Sequence, residues 1–262
     1  MRRTPRAFTL MELLVAMGII STLLALGGTA ALSVVREARS TKCRSNLRQM
    51  SLATESYRNA NNDHLPAAIL YERSTGSTPR ILAWDFTQDE SDVTPGALWN
   101  HADAGRVQQC PSFAEASTFG TDPYTGYNYN TTYLGAEGSV PFIDANGKLV
   151  EGWAAARRGV PTAAQRKTDS CALFGDGGWA NGANKFMRAP LNRVEYNLPM
   201  IYAGGQAFRH GTCCNLVCLD GHTAAVCTAF EGEHASPWLL DTLMSFPRNG
   251  FLSDNDAAYD PR

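Results

Sequence analysis

The sequence predicts an α+β fold in which one long amino-terminal helix packs on a small antiparallel sheet domain. Residues 8–60 have the pattern of a single helix that is apolar in its first half and amphipathic in its second. After Pro66, short runs rich in aromatic and β-branched residues alternate with Gly and Pro, as in strands joined by turns. The chain has 262 residues, of which 44% are apolar, and this is a globular composition.

The first half of the helix is long enough to cross a membrane. No residue from Leu13 to Val35 is charged, and a helix of that length spans ~34 Å, against ~30 Å for a hydrocarbon core. Arg2, Arg3 and Arg6 precede this run, so the positive-inside rule predicts a cytoplasmic amino terminus and an extracytoplasmic remainder. A secretory signal cleaved near residues 29–31 and a simple uncleaved anchor are the alternatives.

The second half of the helix carries a narrow apolar stripe at helical spacing, formed by Cys43, Leu47, Met50, Thr54 and Tyr57. We therefore expect one face to pack on a globular domain while the other faces solvent. Polar residues 59–63 and then Pro66 predict the end of the helix. The predicted organisation is a basic leader at 1–7, a membrane half of the helix at 8–35, a spine half at 36–60 and an extracytoplasmic globular domain at 61–262.

Two segments after Pro66 predict strands, because residues 124–135 and 215–230 are rich in aromatic and β-branched side chains. In the second segment, Asp220-Gly221 separates two strand-like runs, and a hairpin is expected there. Residues 72–106 and 136–166 are interpreted as loops that carry one or two helical turns.

The residues that lead into the apolar run are Arg6-Ala7-Phe8-Thr9-Leu10-Met11-Glu12. This order resembles the amino terminus of type IV prepilins and of the pseudopilins of type II secretion. The resemblance implies that prepilin peptidase cuts between Ala7 and Phe8 and that the new Phe8 amine is methylated. Glu12 then becomes the fifth residue of the mature chain. The family usually has Gly before the cut, where this chain has Ala7.

Glu12 needs a physical reason, because a carboxylate in lipid costs at least ~2.5 kcal/mol on insertion scales. Cleavage would create a cation at Phe8, and in a stack of parallel helices Glu12 of one subunit can approach the Phe8 amine of its neighbour. Glu12 would then set the register between subunits during assembly. The alternative is that Glu12 lies at headgroup depth and has no role.

A second resemblance lies near the carboxy terminus, where His210, nine residues and then Asp220-Gly221 are similar to the H-x9-DG signature of prepilin-like proteins abundant in Planctomycetes and Verrucomicrobia. Three further pieces resemble the same type in the same order: Cys110-Pro111-Ser112, the run from Tyr127 to Asn130, and residues 161–178, in which Asp176 ends a strand. The resemblance implies a pilin-like architecture and assembly rather than a defined chemistry.

His210, Asp220 and Gly221 are interpreted as structural. Asp220 would accept backbone hydrogen bonds in the turn, Gly221 would take a positive φ, and His210 would tie the start of the strand to the turn. A metal site built on Asp176, Asp220 and His222 is the alternative, with calcium as the ion, although no cofactor is expected. No nucleophile motif or metalloenzyme motif is present, so an enzyme is not predicted.

The seven cysteines predict disulfides if the domain is extracytoplasmic. A bridge between Cys43 and Cys110 is expected, since it would join the spine to the sheet. Cys218 and Cys227 flank the Asp220-Gly221 turn and could pair across it. The alternative for each of them is a buried free thiol.

The function predicted from these patterns is a membrane-anchored subunit of a type IV pilus or type II secretion pseudopilus. Its partners would be prepilin peptidase, the inner membrane and other pilin subunits. The net charge of −2 indicates no nucleic-acid partner. The alternative is a singly anchored or secreted binding module for carbohydrate or another surface polymer. Its contact aromatics would be Tyr124, Tyr127, Tyr129, Tyr133, Trp153 and Trp179.

Overall fold

The structure is a computed structural model, and it describes the long helix and the strands of three sheets. The described residues are 8–72, 80–90, 92–99, 107, 109–114, 126–135, 137–139, 142–143, 149–150, 161–180, 182–190, 204–232, 245–246 and 248–262. The predicted leader at 1–7 lies outside them.

The long helix, α1 (Leu10–Ala60), runs without a break, so its membrane half and spine half belong to one element. Thr9 has extended backbone and its side chain caps the first turn. The helix ends where the polar residues predict. Asn62 and Asp63 then take left-handed φ values of 52° and 62°, which turn the chain away from the helix axis.

The strands follow α1 in short pieces. In chain order they are β1 (Ile69–Glu72), β2 (Arg80–Ala83), β3 (Phe86–Asp89), β4 (Asp92–Pro95), β5 (Tyr127–Asn130), β6 (Glu137–Ser139), β7 (Phe142–Ile143), β8 (Leu149–Val150), β9 (Ala172–Gly178), β10 (Phe186–Met187), β11 (Gly205–Ala207), β12 (Cys214–Cys218), β13 (Thr223–Val226) and β14 (Asn249–Gly250). One sheet has the order β4-β3-β2-β1-β6, and a seven-stranded sheet has the order β10-β5-β9-β11-β14 with β12 and β13 joined to β9. The strands pair antiparallel except for β1 with β6 and β5 with β10.

The seven-stranded sheet is built around β9, which pairs with β5, β11 and β12. β12 and β13 form the hairpin predicted around Asp220-Gly221, and Gly221 has the expected positive φ of 85°. β5 lies inside the segment 124–135, where a strand was predicted. The α+β class and the antiparallel character of the sheets are therefore confirmed.

The apolar stripe of α1 packs against this sheet, in contact with β9, β12 and β13. Cys43, Leu47, Met50 and Thr54 are all 0% exposed, and Tyr57 is half-buried. Burying a side chain such as Leu47 or Met50 stabilises the fold by about 1.5–3 kcal/mol. Behind the stripe, Trp84, Tyr129 and Phe174 stack with ring centroids 5.0–5.9 Å apart.

A buried ion pair joins the two larger sheets. Lys185, just before β10, donates to both carboxylate oxygens of Asp85, between β2 and β3, at 2.7 and 2.8 Å. Both side chains are 1% exposed. Removing one partner of such a pair typically costs about 3–5 kcal/mol, because the other charge is left buried alone.

The expectation that residues 72–106 and 136–166 are loops was wrong, since β2, β3 and β4 lie in the first and β6, β7 and β8 in the second. Their helical turns are confirmed as 3-10 turns at Ala97–Trp99 and Thr162–Ala164. These strands are only two to four residues long, and all four residues of β4 are exposed. Such strands show no alternation of apolar and polar residues that a sequence pattern could reveal.

The disulfide in the described part of the chain joins Cys213 to Cys227. The expected pairing of Cys218 with Cys227 was wrong, because Cys214 lies opposite Val226 in the hairpin and this register brings Cys213 opposite Cys227. Cys43 and Cys110 are free thiols, so the bridge predicted between them is not formed either.

Candidate functional site

The first turn of α1 contains Glu12 in a closed set of hydrogen bonds. The Thr9 backbone N–H and hydroxyl donate to Glu12 Oε2 at 2.9 and 2.8 Å, and the Glu12 N–H donates to Thr9 Oγ1 at 3.2 Å. This arrangement is a capping box, which satisfies backbone N–H groups that a helix start leaves open. Glu12 therefore has partners within its own chain. Ala7 lies outside the described residues.

This role of Glu12 was not predicted above, although the spacing Thr-x-x-Glu before an apolar run is a known signal for a helix start. Phe8 precedes the cap with 82% of its surface exposed. The Thr9 N–H and side chain lie on the carboxyl side of the predicted cut between Ala7 and Phe8. Cleavage there would leave the capping box complete.

The first half of α1 exposes its apolar side chains. Leu10, Leu24 and Leu32 are 77%, 70% and 61% exposed. An 18-residue window of this helix has a mean hydropathy of 2.1, and none of that window is buried. By length and composition, α1 can cross a membrane.

A second site lies in the core, where four side chains from distant parts of the chain converge. Their ligand-type atoms all lie within 4.8 Å of one another. We call this set the core cluster, and its members are Cys43, Cys110, Asp176 and His210.

Each member of the core cluster comes from a different element. Cys43 lies on α1, Cys110 begins the turn at 110–113, Asp176 lies in β9, and His210 precedes β12. Asn46, also on α1, donates to the carbonyl of Gln109 at 3.2 Å and so holds the Cys110 turn against the helix.

The contacts within the core cluster are short. Cys43 Sγ donates to Asp176 Oδ1 at 3.4 Å, Cys110 Sγ lies 3.3 Å from His210 Nε2, and His210 Nε2 lies 3.2 Å from Asp176 Oδ2. The His210 side chain is 2% exposed and that of Asp176 is 0% exposed. Cys43 and Cys110 thus lie close together in the core cluster, and both are free thiols.

The protonation states of the core cluster follow from these contacts. Burial and the hydrogen bond to Cys110 raise the pKa of Cys43 well above its ordinary range. The hydrogen bond from Cys43 outweighs burial and lowers the pKa of Cys110 to about 6. Burial alone would lower the pKa of His210, but Asp176 and Cys110 outweigh it and raise the pKa to about 9. Cys110 is therefore the thiol that ionises first, beside a protonated His210.

Arg209 supplies a positive charge next to the core cluster. It donates to the carbonyls of Gly126, at 3.1 Å, and Gly177, and its guanidinium lies 4.9 Å from the centre of the Phe113 ring. Burial would lower the pKa of Arg209, but the charges of Asp176 and Cys110 raise it, so the guanidinium stays charged.

The Asp220-Gly221 turn is a separate feature at the other end of β12. Asp220 Oδ1 accepts from the His222 N–H at 3.0 Å and lies 2.6 Å from His222 Nδ1. The expectation that His210 ties the strand start to this turn was wrong, because His210 instead contacts Cys110, Ser112 and Asp176. The proposed grouping of Asp176 with Asp220 and His222 is likewise not formed among the described residues.

The amino terminus matches a known family. Residues 2–28 match the prokaryotic N-terminal methylation motif. The match covers the leader, the predicted cleavage position and most of the exposed apolar half of α1. No curated protein and no solved structure is significantly similar to the chain. The methylation motif and the exposed helix together support a prepilin-like, single-pass, membrane-anchored protein with a structural role.

The described aromatic side chains that the alternative function would use are buried or half-buried. Tyr127, Tyr129 and Tyr133 are at most 7% exposed, so they belong to the core. Trp179 is half-buried and packs against a hydrophobic cluster. Tyr124 and Trp153 lie outside the described residues. The described part of the chain therefore does not favour a surface-binding module.

Proposed function

We propose that this chain is a subunit of a type IV pilus or of a type II secretion pseudopilus. The observation that carries the proposal is the methylation motif at residues 2–28, which continues directly into a helix that is exposed in its first half and packed along one stripe in its second. A filament of parallel helices requires this division. One half of each helix packs against neighbouring subunits while the other holds the globular domain.

Processing would occur between Ala7 and Phe8. On the carboxyl side of this cut, Phe8 is exposed and Thr9 has extended backbone, which favours access by a peptidase. The helix start survives the cut because the capping box uses only Thr9 and Glu12. The methylated Phe8 amine would then stand one residue before the cap, close to the carboxylate that an adjacent subunit presents.

In this proposal Glu12 changes partner during assembly. Before assembly its carboxylate accepts the Thr9 hydrogen bonds, which limits the cost of a charge at the membrane edge. In the filament the same carboxylate would meet the Phe8 amine of the next subunit. The H-x9-DG type of prepilin-like protein is the subgroup that we assign, on His210, Asp220 and Gly221.

The topology is part of the proposal. Arg2, Arg3 and Arg6 would stay in the cytoplasm, and the globular domain would lie outside the inner membrane. The Cys213–Cys227 disulfide supports this placement, since disulfides persist in oxidising compartments.

The test is to compare Glu12→Gln with Glu12→Ala in cells that assemble the filament. Gln at this position keeps the capping box but removes the charge, whereas Ala removes both. We expect both variants to reach the membrane at normal levels and to be lost from sheared filaments. Glu37→Gln, on the exposed surface of the same helix, is the control and should assemble normally. Normal assembly of Glu12→Gln would contradict a charge-based role.

A further inference from the structure

The core cluster is not needed for membrane anchoring or for helix stacking, yet it places two thiols, a carboxylate and an imidazole together in the interior. We propose that the core cluster is a structural zinc site that binds one Zn²⁺ with tetrahedral geometry. All four ligands come from the described part of the chain, and none of them is a residue of the amino-terminal assembly site.

The spacing of the ligand atoms fits this geometry. Zinc–sulfur bonds of about 2.3 Å and zinc–nitrogen or zinc–oxygen bonds of about 2.0–2.1 Å give tetrahedron edges of roughly 3.3–3.8 Å. The Cys43–Asp176 contact is 3.4 Å, the Cys110–His210 contact is 3.3 Å, and every ligand atom lies within 4.8 Å of the others. A zinc ion at the centre would need only side-chain adjustments.

The donor atoms select the class of metal. Thiolates and imidazole favour zinc and other soft or borderline ions, whereas calcium and magnesium are held by oxygen ligands. Two sulfurs and one imidazole nitrogen among the four ligands of the core cluster therefore favour zinc over calcium at this position. Four protein ligands also fill the coordination sphere, which is typical of structural rather than catalytic zinc.

The surroundings orient the ligands as metal sites require. His210 directs Nε2 into the core cluster while Nδ1 lies 3.4 Å from Ser112 Oγ, so the second ring nitrogen has its own polar partner. Asp176 Oδ2 accepts the Asn215 backbone N–H at 2.9 Å, which leaves Oδ1 directed toward Cys43. These two contacts fix the ring and the carboxylate.

The charges balance when zinc is bound. Two thiolates and one carboxylate carry three negative charges, which a divalent ion alone does not neutralise. The partly buried Arg209 guanidinium next to Asp176 and Cys110 provides the remaining positive charge. A buried site of this kind is stable only when its charges are compensated.

The expected consequence is a link between the helix and the domain. The zinc would join α1, the Cys110 turn, β9 and the segment before β12. It would do so in place of the Cys43–Cys110 disulfide. Since zinc binds the folded chain, its binding should raise the midpoint of thermal unfolding in proportion to the logarithm of the free zinc concentration.

The first test is the metal content of the full chain, purified in detergent without added chelator, by elemental mass spectrometry. We expect one zinc ion per chain, and removal of zinc should lower the unfolding midpoint until ZnCl₂ is restored. The ligand variants Cys43→Ser, Asp176→Asn and His210→Ala should each lose most of the zinc. A wild-type chain without zinc that also fails to bind added ZnCl₂ would overturn the proposal.

The chain offers a matched control for each ligand type: Cys171→Ser, Asp220→Asn and His222→Ala. Cys171 is a buried thiol that donates to the Tyr259 carbonyl at 3.0 Å, so Ser can replace it, and Asp220 and His222 form the exposed pair in the hairpin turn. These controls should keep the zinc. Equal loss in the controls and the ligand variants would contradict the assignment of the ligands.

A second measurement on the unaltered chain avoids any failure of variants to fold. Co²⁺ added to the zinc-depleted protein should produce thiolate-to-cobalt charge-transfer absorption and the visible bands of tetrahedral cobalt. Absence of both bands would overturn the site. Thiol titration after denaturation with a chelator should find five free cysteines. Three free cysteines, no metal and a Cys43–Cys110 cross-link found by peptide mapping would show a disulfide instead, which also overturns the site.

Discussion

The two halves of α1 belong to one continuous helix, yet they occupy opposite environments. In the first half Leu13 and Leu24 are 57% and 70% exposed, whereas in the second half Leu47 and Met50 are 0% exposed. The first half is apolar around its whole circumference, and the second has a single apolar stripe. A helix that is apolar all round requires an apolar environment on every side, and a striped helix requires one packed face.

Each half of α1 therefore requires a different environment. The stripe finds its partner in the same chain, on β9, β12 and β13. Among the described residues the first half packs on no other element, and in the pilin proposal its partners are lipid and then other subunits. In that proposal, one continuous helix connects the assembly residue Glu12 to the globular domain.

The largest expected effect comes from truncating the same residue type in each half. Leu47→Ala should lower the free energy of unfolding of the domain by about 2–5 kcal/mol, because it leaves a cavity in the core. Leu24→Ala should change it by less than about 0.5 kcal/mol, because its side chain has no packed neighbours in the domain. Urea unfolding of the full chain in detergent, followed by the fluorescence of the buried Trp84 and Trp99, measures both. Equal losses in the free energy of unfolding for the two variants would contradict the assignment of different environments to the two halves of α1.

The next largest effect is expected on removing the disulfide. The presence of this bridge also tests on which side of the membrane the packed half of α1 lies. Cys213→Ser with Cys227→Ser should destabilise the domain by about 2–4 kcal/mol, because the bridge closes a loop of 14 residues. The bridge should also be present in chains isolated from membranes. Mass spectrometry after alkylation under non-reducing conditions measures this directly. Free Cys213 and Cys227 in membrane-inserted chains would contradict an extracytoplasmic domain.

A smaller effect is expected at the turn that lies beside the packed half. Gly221→Ala should cost about 1–2 kcal/mol, because φ at this position is +85°. An added Cβ would meet only Ser51 Oγ of α1, at 3.4 Å, which is an ordinary contact. Gly211→Ala is the matched control, with a φ of +73° and no atom within 4 Å of the added carbon. A much larger loss of stability for Gly221→Ala than for Gly211→Ala would show that the added Cβ clashes with α1.

The smallest expected effect is the pH dependence of the contribution that Asp220 makes to the stability of the domain. Partial burial would raise the pKa of Asp220, but hydrogen bonds from the backbone and ring of His222 hold it below its usual value. Asp220 therefore stabilises the fold above its unfolded pKa, and this contribution disappears as the pH falls through the folded pKa. Because the pair is exposed, the contribution should not exceed about 0.5 kcal/mol. At neutral pH, the free energies of unfolding of wild type and Asp220→Asn should therefore differ by no more than about 0.5 kcal/mol. At about pH 3, where the contribution of Asp220 is being lost, the two proteins should differ by less. A larger difference at pH 3 than at neutral pH would contradict this reasoning.

The features that the sequence predicted correctly are local. The stripe from Cys43 to Tyr57, the helix end and the Asp220-Gly221 hairpin each depend on spacing within one element. The capping box of Thr9 and Glu12 is equally local and could have been found from the same residues.

The features that the sequence could not predict depend on pairing between distant segments. The register of β12 and β13 decides that Cys227 meets Cys213 rather than Cys218. The core cluster requires α1, β9 and the segment before β12 to meet, and no spacing along the chain encodes that meeting. Three residues singled out by resemblance, Cys110, Asp176 and His210, do come together, but Cys43 joins them rather than Asp220.

The pilin proposal is tested most directly by the amino terminus of the mature chain. Mass spectrometry of the protein from membranes and from sheared filaments determines it. A chain that begins at N-methylated Phe8 is the predicted result, and it would make Glu12 the carboxylate nearest the new amine. A chain that begins near Ala31, or that retains Met1 or Arg2, would contradict the pilin proposal and leave α1 as an ordinary signal or anchor.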